Sequence, residues 1–171
     1  MAVVTTVYPT IFTNLYSSPP KLVDEQLFGG VTRRQRGTFE VTSGNSIASI
    51  YPMAVLPSNA TIDNITIFCD AITSAAGDIG LYQTVANGGA VVDVDCYASA
   101  VSIATAITLG TNVRFEAGAA GGDVASMENQ VWQDLALSAD PHRDYILALT
   151  LTAAATATGT FSYHVTYTTP N

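Results

Sequence analysis

Tyr145-Ile146-Leu147-Ala148-Leu149-Thr150-Leu151 and Phe161-Ser162-Tyr163-His164-Val165-Thr166-Tyr167 decide the fold class. In the first, Tyr145, Leu147, Leu149 and Leu151 alternate with smaller neighbours. In the second, Phe161, Tyr163, Val165 and Tyr167 alternate with Ser162, His164, Thr166 and Thr168. A period of two with one apolar and one polar face is the mark of an antiparallel strand. The small residues Ala153 to Gly159 between the two runs predict a hairpin connection.

Working back along the chain, the same period recurs. Ile47 to Leu56 is apolar on both alternating faces, which predicts a strand buried on both sides. Pro52 marks a bulge or an edge there, because it cannot donate to a ladder. Pro57-Ser58-Asn59-Ala60 is a turn. Thr61 to Cys69 is a strand with Ile65, Ile67 and Cys69 on one face, and Asp78-Ile79-Gly80-Leu81-Tyr82 opens another. Asn87-Gly88-Gly89 turns the chain into Val91-Val92-Asp93-Val94. The β-branched content of Ala98 to Leu109 favours strand. One helix is predicted from Val124 to Leu135, with Met127, Val131, Trp132 and Leu135 on one face and Asp123 as N-cap. About eight short strands separated by turn signals predict a mainly β protein, an antiparallel, jelly-roll-like β-sandwich over residues 39–171.

Residues 1–38 read differently. Pro9, Pro19 and Pro20 interrupt them, and Val7, Tyr8, Ile11, Phe12, Leu15, Tyr16 and the Leu27-Phe28 pair make them too apolar for a solvated tail. Two readings stand: an extended N-terminal arm anchored on its own domain or a neighbour, or a first hairpin of the sandwich.

Composition narrows the function. Only 12% of the 171 residues are charged, against about 25% in an ordinary domain. Such a chain is suited to an assembly that covers its surface. The net charge of −8 argues against a nucleic-acid binder. No run of 18 or more apolar residues predicts a membrane span. The first residues lack the basic and long apolar regions of a signal peptide. Cys69 and Cys96 fit no metal spacing and read as buried free thiols, consistent with synthesis in a reducing cytoplasm.

Chemistry has few footholds. His142 in Asp140-Pro141-His142-Arg143-Asp144 reads as a polar turn, since no nucleophile motif accompanies it. His164 faces the polar side of its strand. Asp93-Val94-Asp95 offers two carboxylates but no third ligand. No catalytic, cofactor or metal residue is assigned. Trp132 reads as packing. Arg33-Arg34-Gln35-Arg36 holds three of the six basic residues. Its forked guanidinium groups suit an acidic patch on a neighbouring subunit or on a lattice. A solvated turn is the competing reading, and DNA ranks third because three arginines would bind it weakly against this charge. The candidate partner-binding residues are Tyr8, Phe12, Tyr16, Phe28, Arg33, Arg34 and Arg36.

Several segments, in order, carry a family resemblance. They are Ala54-Val55-Leu56-Pro57-Ser58-Asn59-Ala60-Thr61-Ile62, Phe68-Cys69-Asp70-Ala71-Ile72, Asp78-Ile79-Gly80-Leu81-Tyr82 and Tyr97-Ala98-Ser99-Ala100-Val101. Val131-Trp132-Gln133-Asp134-Leu135, Ala139-Asp140-Pro141 and Tyr163-His164-Val165-Thr166-Tyr167 follow. From about residue 38 to the end, the chain resembles small virion structural proteins of tailed bacteriophages. The resemblance implies a non-enzymatic role on the virion, with capsid decoration (cement) as one form of it. The partner would be the major capsid protein, and the subunit a homo-oligomer such as a trimer. No functional residue is carried over. A neck, tail or head-fibre subunit and a carbohydrate-binding module are the alternatives.

Overall fold

The computed structural model describes residues 8–22, 24–25, 27–117 and 120–170. Val7, one of the predicted anchors, lies outside them. Eight strands follow in chain order: β1 (Val31–Val41), β2 (Ile50–Pro57), β3 (Thr61–Cys69), β4 (Ala76–Gln83), β5 (Val91–Ser102), β6 (Ile107–Asn112), β7 (Asp144–Ala153) and β8 (Gly159–Thr169). They form two antiparallel four-stranded sheets, ordered β1-β8-β3-β6 and β2-β7-β4-β5. Every successive pair of strands except β4–β5 switches sheets, which is the jelly-roll arrangement of the sandwich class the alternation predicts. Ile65, Ile67, Leu147, Leu149, Leu151, Phe161 and Val165 meet between the sheets as a fully buried core. Cys69 and Cys96 are buried there as free thiols. Burial pushes the Cys96 thiol up to about 12.

Four local expectations need correction. β7 and β8 do not form a hairpin: they lie in different sheets, and residues 154–158 carry the chain from one to the other. Their apolar faces point at each other across the core, a relation that alternation alone does not separate from pairing. Secondly, β2 is not buried on both sides. It is an edge strand. Met53, Ala54 and Leu56 are buried, whereas Ile50 is 50% and Val55 48% exposed. Pro52 does mark a break, as the register shifts between Pro52 and Ala54.

Thirdly, the predicted helix 124–135 is two short pieces, a 3-10 turn at Val124–Ser126 and the helix α2 at Val131–Asp134 (α1 is given below). Asp123 caps the first, accepting from Ala125 N at 2.9 Å. The second starts afresh because its first amides are drawn to the β2–β3 turn. Val131 N donates to Ala60 O at 2.8 Å and Trp132 N to Ser58 O at 3.0 Å. Met127 is left 60% exposed rather than sharing a helix face with Val131. Fourthly, the segment 1–38 is not extended throughout. Residues Thr10–Leu15 form a helix, α1, and β1 begins at Val31, so the boundary at residue 38 falls inside a strand.

β1 lies over β2 at one lateral edge of the sandwich, and a side chain of β1 and one of its neighbour β8 bond to β2. Gln35 donates from Nε2 to Val55 O at 2.5 Å and accepts from Val55 N at 3.1 Å. Tyr163 donates to Met53 O. Gly37 leaves room for that reach, since a Cβ there would meet the Tyr163 hydroxyl at 2.5 Å. The opposite lateral edge is formed by β6 and β5.

Candidate assembly surface

The arm places most of its aromatic anchors together. In α1 no residue is buried. Its first turn is held by Thr13, whose amide donates to Pro9 O at 3.1 Å. The six-residue helix brings Phe12 and Tyr16 to one side, with ring centroids 5.9 Å apart and stacked. Tyr8 meets Tyr16 edge-on at 5.8 Å. These three rings remain 56%, 45% and 70% exposed for Tyr8, Phe12 and Tyr16. Phe28, also exposed, sits in a separate turn and does not join them. The chain meets the sandwich just beyond. There Gln130 Nε2 donates to Asp24 Oδ2 at 3.5 Å, and Gly30 passes close against Thr168 and Thr169.

The arginines are on an edge strand rather than in a turn. β1 alternates: Gln35, Gly37, Phe39 and Val41 turn inward, while Arg34, Arg36, Thr38 and Glu40 turn outward. Arg34 and Arg36 border a shallow groove of about 340 Å³ shared with Thr38, Phe68, Ser162 and His164. Arg33 falls on the other parity and donates from Nε to Thr169 Oγ1 at 3.1 Å. The cluster is thus split by the pleat into a pair and a single residue. Among the described residues none of the three forms an ion pair.

The polar turn around His142 brings together three residue types familiar from hydrolases, in an order that cannot activate a nucleophile. Ser58 Oγ donates to Asp140 Oδ1 at 2.5 Å, and His142 Nδ1 lies 3.1 Å from Asp140 Oδ2. The carboxylate sits between serine and imidazole, whereas general-base activation needs the imidazole beside the hydroxyl. Asp140 also accepts from His142 N at 2.9 Å, as the cap of a turn does. Partial burial pushes its carboxyl up, but the Ser58 and His142 hydrogen bonds outweigh this and hold it below the ordinary value. Asp93 and Asp95 are neighbours on β5, with Asp95 N donating to Asp93 Oδ1 at 3.4 Å. Burial first, then the adjacent Asp95, raises the Asp93 carboxyl. Among the described residues no group of three or more His, Cys, Asp or Glu side chains could hold a metal ion.

One cluster had no signal in the sequence. Arg114 is fully buried. Its Nε donates to Ile62 O at 3.1 Å and its Nη2 to Ser126 O at 3.3 Å. Nη2 also lies 3.5 Å from Asp134 Oδ2, which accepts from the Tyr97 hydroxyl at 3.1 Å. The guanidinium stacks over Tyr97 and Phe115, 4.8 and 4.7 Å from the ring centroids. These contacts tie β3, β5, α2 and the long β6–β7 connection together. Burial drives the Asp134 carboxyl up, against the opposing pull of Arg114, Tyr97 and Asn129. The Tyr97 hydroxyl is driven well above its ordinary range, by burial first and then by Asp134. The role is structural, since the side chains of Arg114, Asp134 and Tyr97 are closed off from solvent.

No protein-family model matches the chain, and no curated protein matches it. Among solved structures it is similar to a chain of the "Cyanophage Pam1 capsid asymmetric unit", with 17% identity and a TM-score of 0.53. The match covers 84% of this chain and 88% of that one, and at this identity it establishes a shared fold.

Proposed function

We propose that this chain is a non-enzymatic virion structural protein of a bacteriophage, and that it acts as a capsid decoration protein. It binds the lattice of the major capsid protein through its N-terminal arm and sits on the capsid surface. The observation that carries this reading is the exposed ring cluster of Tyr8, Phe12 and Tyr16 on α1, held out from the sandwich. Three aromatic rings in mutual contact, two stacked and one edge-on, are a preorganised anchor, the kind of group that dominates binding energy once it enters a pocket. The stretch 8–20 carries no charge, so it can dock without desolvating an ion. The fold shared with a chain from a capsid asymmetric unit supports the setting, and the turn-cap geometry at His142 supports a role without catalysis. Several arms on one oligomer would turn modest contacts into lasting attachment.

The test is co-sedimentation with expanded capsids from the same source. Phe12→Ala with Tyr16→Ala should weaken binding by about a thousandfold, two anchors each worth roughly 2 kcal/mol, with the circular dichroism spectrum unchanged. Full binding by this variant would overturn the arm's role. No binding by the wild-type protein would overturn decoration.

A further inference from the structure

The arginine edge needs a partner of its own, because the described contacts leave it unpaired and the aromatic cluster lies in a separate part of the chain. We infer that a second copy of this chain occupies it: the β1 edge of one subunit, with Arg33, Arg34 and Arg36, docks against the β5 edge of the next, with Asp93 and Asp95. This rests on the oligomeric part of the reading above and is tested apart from capsid binding.

Three observations lead there. The first is where the charges lie. β1 and β2 form one lateral edge of the sandwich, joined through Gln35 and Val55, and β5 and β6 form the other. Half of the basic residues sit on the first edge. The Asp93–Asp95 pair sits on the second, joined by Glu116, whose Oε2 accepts from Ser99 N of β5 at 2.7 Å. A chain of net charge −8 repels its copies unless a local basic patch meets a local acidic one. Here the two patches lie on strands at opposite lateral edges of one subunit.

The second is the lack of alternatives within the subunit. The two ion pairs among the described residues are Arg114–Asp134 and His142–Asp140, and neither draws on these edges. Burial first, and then the neighbouring Asp95, disfavour the charged form of Asp93, and a facing guanidinium would offset both. The third concerns the main chain. The β6–β7 connection already occupies main-chain groups of β5: the Glu116 carboxylate accepts from Ser99 N, and Ala117 N donates to Tyr97 O at 3.2 Å. That end of the edge is closed to strand addition, so the contact is made through side chains.

An interface that joins two different patches of identical subunits is heterologous. It repeats head to tail and ends only when the rotation closes a ring. The arrangement therefore repeats one contact from subunit to subunit, and the mass distribution tells a closed ring from an open chain.

Sedimentation velocity and native mass spectrometry of the free full-length protein test this without capsids. In low salt the wild type should exceed the 17.9 kDa monomer mass. Self-association should weaken about tenfold or more in about 1 M salt, where screening falls to about 3 Å. Arg34→Glu with Arg36→Glu should reduce the mass to the monomer, and so should Asp93→Lys with Asp95→Lys. The four-site variant, with both edges reversed, should reassemble, because its complementarity is restored with opposite sign. Circular dichroism confirms folding, and the milder Arg34→Ala with Arg36→Ala serves if a reversal unfolds. A wild type that is monomeric in low salt would overturn the inference. So would an oligomer indifferent to either single-edge change, or a folded four-site variant that stays monomeric. An oligomer that ignores capsids would leave this interface standing and remove the decoration reading instead.

Discussion

At the scale of single residues, Arg114 sets the largest stake. Its charge is taken out of water and repaid by two carbonyls, two aromatic faces and one carboxylate. Removing one partner of a buried pair strands the other, so Arg114→Met should cost about 3–5 kcal/mol at neutral pH. The paired change Arg114→Met with Asp134→Leu should cost less than that single change, and urea unfolding of the three proteins measures the difference. The pH dependence has a definite sign. The Asp134 carboxyl is raised in the fold relative to its ordinary value. Between the two values the folded state holds more protons than the unfolded, so this group's contribution to stability falls as pH rises. Unfolding curves at steps from the ordinary carboxylate value upward should show wild-type stability declining relative to Asp134→Asn. The opposite slope would mean that Arg114 prevails over burial. Gln35 is the second residue of consequence. Its amide supplies β2 with a substitute strand at Val55, and Gln35→Ala leaves that amide and carbonyl without their partner. A loss of about 1–3 kcal/mol in the same assay is expected.

At the scale of elements, α1 stabilises nothing that it does not itself contain. None of its residues is buried, so replacing Ile11, Phe12, Leu15 and Tyr16 together by serine should move the melting temperature by less than about 2 °C, the effect of roughly 0.5 kcal/mol in a chain of this size. A larger drop in a thermal melt would mean that the arm is part of the core. Strands with one buried face, such as β7 and β8, were legible from alternation because burial imposes it. What alternation does not encode is which sheet a face belongs to, hence the hairpin read where the chain crosses between sheets. β2 misled for a physical reason: its outer residues Ile50 and Val55 are apolar yet uncovered, and period-two reasoning equates apolar with buried. β1 was hidden because its first four residues are all exposed and their charges look like a turn. Its arginines were conspicuous by clustering, and the aromatic anchors by excess of apolar content beside prolines. Arg114 had no such signal, since a lone arginine in a sequence is ordinarily a surface residue.

At the scale of the whole molecule, the order of strands in the sheets governs when a surface becomes available. β8 is the last strand in the chain and lies between β1 and β3, with β1 paired along its full length from Val31–Thr169 to Val41–Gly159. The arginine edge is therefore built from the two ends of the chain. Until β8 is in place, β1 has no ladder neighbour, its pleat is undefined, and Arg34 and Arg36 share no face. Closing a loop of this length costs entropy before any contact repays it, which places sandwiches of this kind in the millisecond-to-second folding range. Pulsed hydrogen exchange during refolding from urea should show the amides of β1 and β8 gaining protection together, and no earlier than the β4–β7 ladder. A chain ending at residue 158 keeps every arginine and every aromatic anchor but loses the central strand of one sheet. It should lack the cooperative unfolding transition of the full chain. Protection of β1 ahead of β8, or a cooperative transition in the shortened chain, would show that the edge forms independently. If β1 and β8 are protected together, the basic edge exists only in the finished subunit, and incomplete chains are kept out of any assembly that reads it.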